Sequence, residues 1–211
     1  MDFLSEELNK YIESHTRDEG DNLKDLDRET NAKVLMPRML SGHLQGQVLR
    51  MLSIMIKPER ILEIGTFTGY SAICLAEGLT AEGELHTIDI NEELKPMVHA
   101  YFEKAGILNR VKYHIGNALD IIPTLDMSFD LVFIDADKEN YSNYYNLVID
   151  DMRPGSYIIA DNVLWSGKVL EPNPDKDTKA IMEFNDMIQA DTRVENVLLP
   201  VRDGLMVMRK L

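Results

Sequence analysis

The chain has 211 residues, and 22 lysines and arginines against 36 aspartates and glutamates leave a formal net charge of −14. The length fits one domain, and 45% hydrophobic residues supply a core without help from disulfides or structural zinc. A single cysteine, Cys74, excludes an intramolecular disulfide and a Cys-rich metal cluster, and the acidity argues against gripping nucleic acid through its phosphates.

Acids at Asp2, Glu6 and Glu7 stand where a secretory signal carries basic residues, and the longest apolar stretches are four or five residues. A membrane span needs about 20, so a cytoplasmic protein with no membrane contact is expected. Residues 3–14 and 21–31 read as polar helices within an N-terminal helical extension, 1–38, of a single domain covering 1–211. In 43–56, Leu44, Val48, Met51, Leu52 and Met55 fall at helical spacing, and Lys57-Pro58 ends that helix. Strands are then expected at 60–64, 84–90, 111–115, 129–134 and 157–160, alternating with helices at 70–78, 92–105, 118–125 and 141–151. This alternation predicts a doubly wound α/β sheet, with the almost continuously apolar 129–134 as a central parallel strand. A helix at 178–190 follows a loop, 166–177, that holds Pro172 and Pro174 and is the least structured internal stretch. The last two runs, 194–199 and 205–209, are joined only by Pro200-Val201-Arg202-Asp203-Gly204. A parallel return needs a dozen or more residues, so these two are antiparallel neighbours.

In such sheets, ligands bind at the carboxyl ends of the strands near the point where strand order reverses. Glu63-Ile64-Gly65-Thr66-Phe67-Thr68-Gly69 ends the first strand, and its glycines serve either a close ligand approach or an ordinary tight turn. The dinucleotide pattern Gly-x-Gly-x-x-Gly is absent, which counts against an NAD-linked oxidoreductase. Glu63 would repel a pyrophosphate but suits a cationic ligand such as the ammonium and sulfonium of S-adenosylmethionine, and Asp89 ends the second strand where an acid accepts ribose hydroxyls. The fourth strand ends in Asp135-Ala136-Asp137-Lys138 and the fifth in Asp161-Asn162, so Asp135, Asp161 and Asn162 can converge. Two carboxylates and an amide oxygen are hard ligands suited to Mg²⁺ or Ca²⁺ rather than zinc. Asp137 reads as a helix N-cap or a cofactor contact. Lys138 reads as a lysine on a solvated loop or, beside a cation, as the group that takes a substrate proton, and Trp165 as a pocket wall or core.

Leu62-Glu63-Ile64-Gly65-Thr66-Phe67-Thr68-Gly69-Tyr70-Ser71, Phe133-Ile134-Asp135-Ala136-Asp137-Lys138 and Ala160-Asp161-Asn162-Val163-Leu164-Trp165-Ser166-Gly167, in this order, resemble the cation-dependent O-methyltransferases. That family includes plant caffeoyl-CoA, animal catechol and many bacterial enzymes, and the resemblance runs from about Met39 to the C-terminus. It implies a Rossmann-like class I S-adenosylmethionine-dependent methyltransferase fold, a seven-stranded sheet with an antiparallel last strand. It also implies Asp135, Asp161 and Asn162 as ligands of Mg²⁺ (or Ca²⁺ or Mn²⁺) and Lys138 as the catalytic lysine. For the cofactor it implies Glu63 and Ser71 at the methionine end, Asp89 on the ribose, Gly116, Asn117 and Ala118 beside the adenine, and Met39 and Ser41 over the methionine. Gly65, Thr66, Phe67 and Tyr70 of the turn, with Asp135, Asp137 and Tyr144, complete the implied cofactor contacts. The implied reaction is methyl transfer to a hydroxyl of a small aromatic vicinal diol, catechol-like or caffeoyl-type, by a homodimer. The match weakens before Met39 and within 169–179, the stretches that shape the acceptor pocket in the family. The second reading, a tRNA hydroxyuridine O-methyltransferase as in some bacterial relatives, sits poorly with the net charge. A non-catalytic cofactor-binding module is countered by the intact Asp135, Lys138, Asp161 and Asn162.

Overall fold

Four consecutive apolar residues, Leu131–Ile134 (β4), are fully buried, which only a strand covered on both faces permits. The computed structural model, which describes residues 5–211, places β4 at the centre of a seven-stranded sheet. The other strands are Arg60–Ile64 (β1), Glu84–Asp89 (β2), Val111–Ile115 (β3), Tyr157–Asp161 (β5), Val194–Leu199 (β6) and Leu205–Lys210 (β7), in the order β3-β2-β1-β4-β5-β7-β6. The first five are parallel, and β7 runs antiparallel to both of its neighbours, β5 and β6. The expected terminal hairpin is therefore present. Strand order reverses between β1 and β4, and a cavity opens at the carboxyl ends of these strands.

Alternation along the strands divides the core between two faces. Leu62, Ile64, Val132, Ile134, Ile158 and Ala160 face the helices Ala118–Ile121 (α6), Tyr141–Val148 (α7) and Lys176–Ala190 (α8). Ile61, Leu131, Phe133 and Ile159 face the other side, with Asp21–Lys33 (α2), Gly42–Ile56 (α3), Tyr70–Ala76 (α4) and Lys95–Lys104 (α5). Leu23 and Leu26 of α2 belong to this second core, so the N-terminal extension is packed onto the sheet domain. Glu6–Ser14 (α1) starts at Ser5, whose hydroxyl accepts the Leu8 N–H at 3.3 Å. The first two residues of the helix expected at 3–14 lie outside the described residues.

Most expected elements are present with shifted ends. The helix expected at 92–105 starts with a 3-10 turn, Glu92–Leu94, because Pro96 forms the first turn of α5 rather than continuing a longer helix. The helix expected at 118–125 tightens into a 3-10 turn, Ile122–Thr124, around Pro123. The loop expected at 166–177 contains a kinked 3-10 segment, Trp165–Leu170, and Asp175 caps α8 by accepting the Thr178 N–H at 2.8 Å. Among the described residues no helix is long and apolar enough to cross a membrane.

Candidate active site

The crevice at the β1/β4 switch is the mouth of a cavity of about 1710 Å³. That exceeds the roughly 300–1,000 Å³ that encloses one drug-sized ligand and leaves room for two substrates side by side. Apart from Glu63, every site residue expected from sequence lines it.

The turn after β1 shapes one end. Gly65 has φ +104°, and a Cβ there would lie 1.9 Å from the Asp135 carbonyl oxygen, so only glycine lets the two strand ends approach this closely. Its N–H donates to Ile88 O at 2.9 Å, and the Asp135 N–H donates to Ile64 O at 2.9 Å, which ties the ends of β1, β2 and β4 together. Asp89 at the end of β2 accepts the N–H of Phe67 at 2.7 Å and that of Asn91 at 2.8 Å, one on each carboxylate oxygen. Asn117 caps α6 through the Leu119 N–H at 3.0 Å, setting the edge of the cavity beside Gly116 and Ala118.

Four expected cofactor contacts also hold other partners. Glu63 does not line the cavity. It points into the apolar face of β1, accepts a hydrogen bond from Thr87, and burial pushes its carboxyl up to about 8. Thr66 spends its hydroxyl on Thr87, at 2.5 Å, and the Tyr70 hydroxyl donates to Glu19. Asp137 precedes a 3-10 turn, Lys138–Asn140, but makes no capping bond; its carboxylate accepts from the Tyr144 hydroxyl at 2.5 Å and from Asn140. Ser71 and Ser41 are buried at the cavity wall, whereas Met39 is half exposed at its rim.

At the other end, the strand register sets Asp135 and Asp161 on adjacent parallel strands, as expected. Lys138, however, is not on a solvated loop. The 3-10 turn folds it back, leaving it 8% exposed, with Nζ donating to Asp135 Oδ1 at 3.2 Å, Asn162 Oδ1 at 2.8 Å and the Tyr141 oxygen at 2.5 Å. Tyr141 in turn donates to Asp161 O at 3.0 Å, and burial, then the Asp135 charge, holds its phenol well above the usual range. Asp161 is 2% exposed, and burial followed by the nearby Asp135 pushes its carboxyl up to about 7. Trp165, open in sequence between wall and core, borders the cavity, with its ring centroid 5.5 Å from Lys138 Nζ.

No cluster of three or more His, Cys, Asp or Glu suited to a metal occurs among the described residues, so a site built from those types alone is absent. With the Asn162 amide counted, the donors fit a hard cation: Asp135 and Asn162 already aim oxygens at one positive charge, the Lys138 ammonium, next to a buried Asp161 that lacks a counter-ion of its own.

A family model described as O-methyltransferase matches residues 13–211. The chain belongs to this family. The O-methyltransferase is 34% identical over 207 residues to caffeoyl-CoA O-methyltransferase 5 of Nicotiana tabacum, covering 92% of this chain and 85% of that relative. It is 33% identical over 223 residues to caffeoyl-CoA O-methyltransferase 1 of Arabidopsis thaliana, covering 98% and 85%. Among solved structures it superposes on the O-methyltransferase TomG of Streptomyces achromogenes, solved with SAM and involved in tomaymycin synthesis, with TM-score 0.90, 30% identity and coverage of 97% and 96%. An O-methyltransferase of Bacillus cereus, solved with SAH, gives TM-score 0.89 at 30% identity, covering 97% of each chain.

Sequence reasoning missed Gln45, Tyr141 and Arg202 in this O-methyltransferase. Tyr141 lies three positions after Lys138, a spacing that puts both on one side of a turn and was readable. Gln45 and Arg202 meet the site only through tertiary contacts with no local signal.

Proposed function

We propose that this O-methyltransferase moves the methyl group of S-adenosylmethionine to one hydroxyl of a small aromatic vicinal diol, catechol-like or caffeoyl-type, with a divalent cation held by Asp135, Asp161 and Asn162. The observation that carries the reading is the aiming of Asp135 and Asn162 oxygens at a single positive charge in the same cavity as the Gly65–Gly69 turn and Asp89. The donor end takes its nucleoside through Asp89, whose two oxygens keep lone pairs free for ribose hydroxyls after the backbone contacts are made. Gly116, Asn117 and Ala118, which line the same cavity, would border the adenine, and Ser41, Ser71 and the rim residue Met39 would border the methionine part. Glu63 stands beneath the floor with its carboxyl pushed up to about 8 by burial, and there a bound cation above it would favour release of its proton.

When bound, the divalent cation supplies a Lewis acid that lowers the pKa of a phenolic hydroxyl. Lys138 takes the proton leaving that hydroxyl when it is in its amine form, or orients the hydroxyl oxygen as the ammonium, and Tyr141, with its own proton committed to Asp161 O, holds the lysine in place. The acceptor oxygen forms a bond to the methyl carbon as the carbon–sulfur bond breaks, giving the methyl ether, the thioether by-product and one proton. The protein forms no covalent bond. Its contribution is register, set by the Gly65 contact with the Asp135 backbone that joins the two ends of the cavity. Trp165 offers an aromatic wall to the acceptor ring.

Acids outnumber lysines and arginines around the cavity, which suits a small acceptor better than tRNA. The test is a panel of catechols, hydroxycinnamoyl thioesters, flavonoids and tRNA with labelled S-adenosylmethionine and Mg²⁺, with and without EDTA. Label in a vicinal-diol product, lost in EDTA and restored by excess Mg²⁺, is expected. Full turnover in EDTA, or label in tRNA alone, overturns the reading. A homodimer, implied by the resemblance, belongs to the same proposal and is read by light scattering.

A further inference from the structure

Asp161 is gripped from two sides. Its Oδ1 accepts the backbone N–H of Asn162 at 2.6 Å, and its Oδ2 accepts the side-chain amide of Gln45 at 2.5 Å. Gln45 comes from the first turn of α3, on the far side of the chain in sequence, and is 1% exposed. Its oxygen faces Arg202, with Nη1 at 3.4 Å. The same Nη1 donates to the carbonyl of Leu40 at 2.9 Å and to that of Ser41. An amide group has nearly the same shape when its nitrogen and oxygen are exchanged, yet here only one orientation works. A guanidinium can only donate, so the amide oxygen must face Arg202, which turns the nitrogen toward Asp161.

The consequence concerns the rotation of the Asp161 carboxylate. Asp135 repels it, and without a donor on Oδ2 the group is free to turn about its χ2 torsion toward Lys138 or away from the cavity. We propose that Gln45 is a positioning residue of the cation site: its amide, oriented by Arg202, fixes the rotation of the Asp161 carboxylate and couples the end of β5 to the Leu40–Ser41 segment at the donor end of the cavity. This rests on the cation reading given above. It adds residues outside the ligand set that decide how well that set is formed before an ion arrives.

The test is Mn²⁺ titration of the protein without donor or acceptor, with the free ion followed by EPR, and thermal midpoints measured alongside. Gln45→Met keeps the length and volume of the side chain and removes its donor. Its Mn²⁺ dissociation constant is expected to rise about 10- to 100-fold, the usual effect of losing a hydrogen bond behind a metal ligand. Arg202→Met, which leaves the amide free to turn, is expected to give a smaller rise in the same direction. If Gln45→Met does not fold, Gln45→Asn, which withdraws the amide by one methylene, is read in the same way. A role confined to structure would lower the midpoint and leave the Mn²⁺ constant within about twofold, and that result overturns the inference while the cation reading stands. Failure of the unmutated protein to take up Mn²⁺ overturns both.

Discussion

Asp89 and Asp161 are both carboxylates at the end of a parallel strand in one cavity, and the fold treats them in opposite ways. Asp89 is partly open to solvent and held by two backbone N–H groups, 2.7 and 2.8 Å away, that come with the turns after β1 and β2. Asp161 is buried against a second acid, and its nearest positive charge belongs to a side chain, Lys138, shared among three other oxygens. The donor end is therefore electrostatically complete once the backbone has folded. The acceptor end is complete only when a cation is present, whether the lysine or a divalent ion. Oxygens prepared by backbone dipoles await hydroxyl protons, whereas oxygens crowded together in a buried site await charge.

Three variants press on this contrast. The largest effect is expected from Asp161→Ala, which removes one of the oxygens proposed to hold the cation and should lower Mg²⁺-dependent kcat/KM on the order of 10³-fold while leaving S-adenosylmethionine binding, read by calorimetry, nearly unchanged. Loss of donor binding to the same degree would erase the distinction between the two ends. Lys138→Met comes next, with kcat expected to fall about 10²-fold. This variant should also melt at a lower temperature, because Asp135 and Asp161 lose the Lys138 ammonium beside them, and Mg²⁺ should restore the midpoint. A midpoint indifferent to Mg²⁺ would mean that the acceptor end does not depend on positive charge. The smallest effect is one of stability, at Glu63. Its carboxyl titrates near 8 when folded and in the ordinary range, near 4.5, when unfolded, so the folded state holds the extra proton between these values. Stability is then full below about pH 4.5 on this account and declines as pH rises through 8, by roughly 1–2 kcal/mol after allowance for the protein's effective dielectric. Urea unfolding from pH 5 to 8.5 should show the decline, and Glu63→Gln should flatten it.

Legibility from sequence followed the same divide. The strand-end positions of Asp89, Asp135, Asp161 and Asn162 could be read because parallel strands with short apolar cores announce their ends, and side chains at those ends share one rim. The antiparallel hairpin was readable because a five-residue connection admits no other geometry. For Lys138 the residues alone leave a solvated loop and a place in the site both open, because a single 3-10 turn, invisible to periodicity, is what directs it into the cavity. Asp137 looked like a cap, yet its oxygens go to Tyr144 and Asn140, partners that only the docking of α7 provides. Glu63 reads in sequence as a cofactor contact because a carboxylate at the end of β1 suits a cationic ligand and matches the family's acid there; alternation along β1 turns its side chain to the opposite face from Ile64 and so beneath the floor. Gln45 and Arg202 left no trace, since each acts across more than a hundred residues of chain.

The terminal hairpin carries a consequence for the order of events during synthesis. β6 leaves the ribosome before β7, yet it reaches the sheet only through β7, which lies between it and β5. Until β7 inserts, the turn bearing Arg202 and Asp203 has no fixed place, so neither the Arg202 grip on Leu40, Ser41 and Gln45 nor the Asp203 bond to the Ser166 N–H can form. The parallel strands and the glycine turn can settle early, but the acceptor end takes its final form only after β7, the last strand of the sheet in chain order, has inserted.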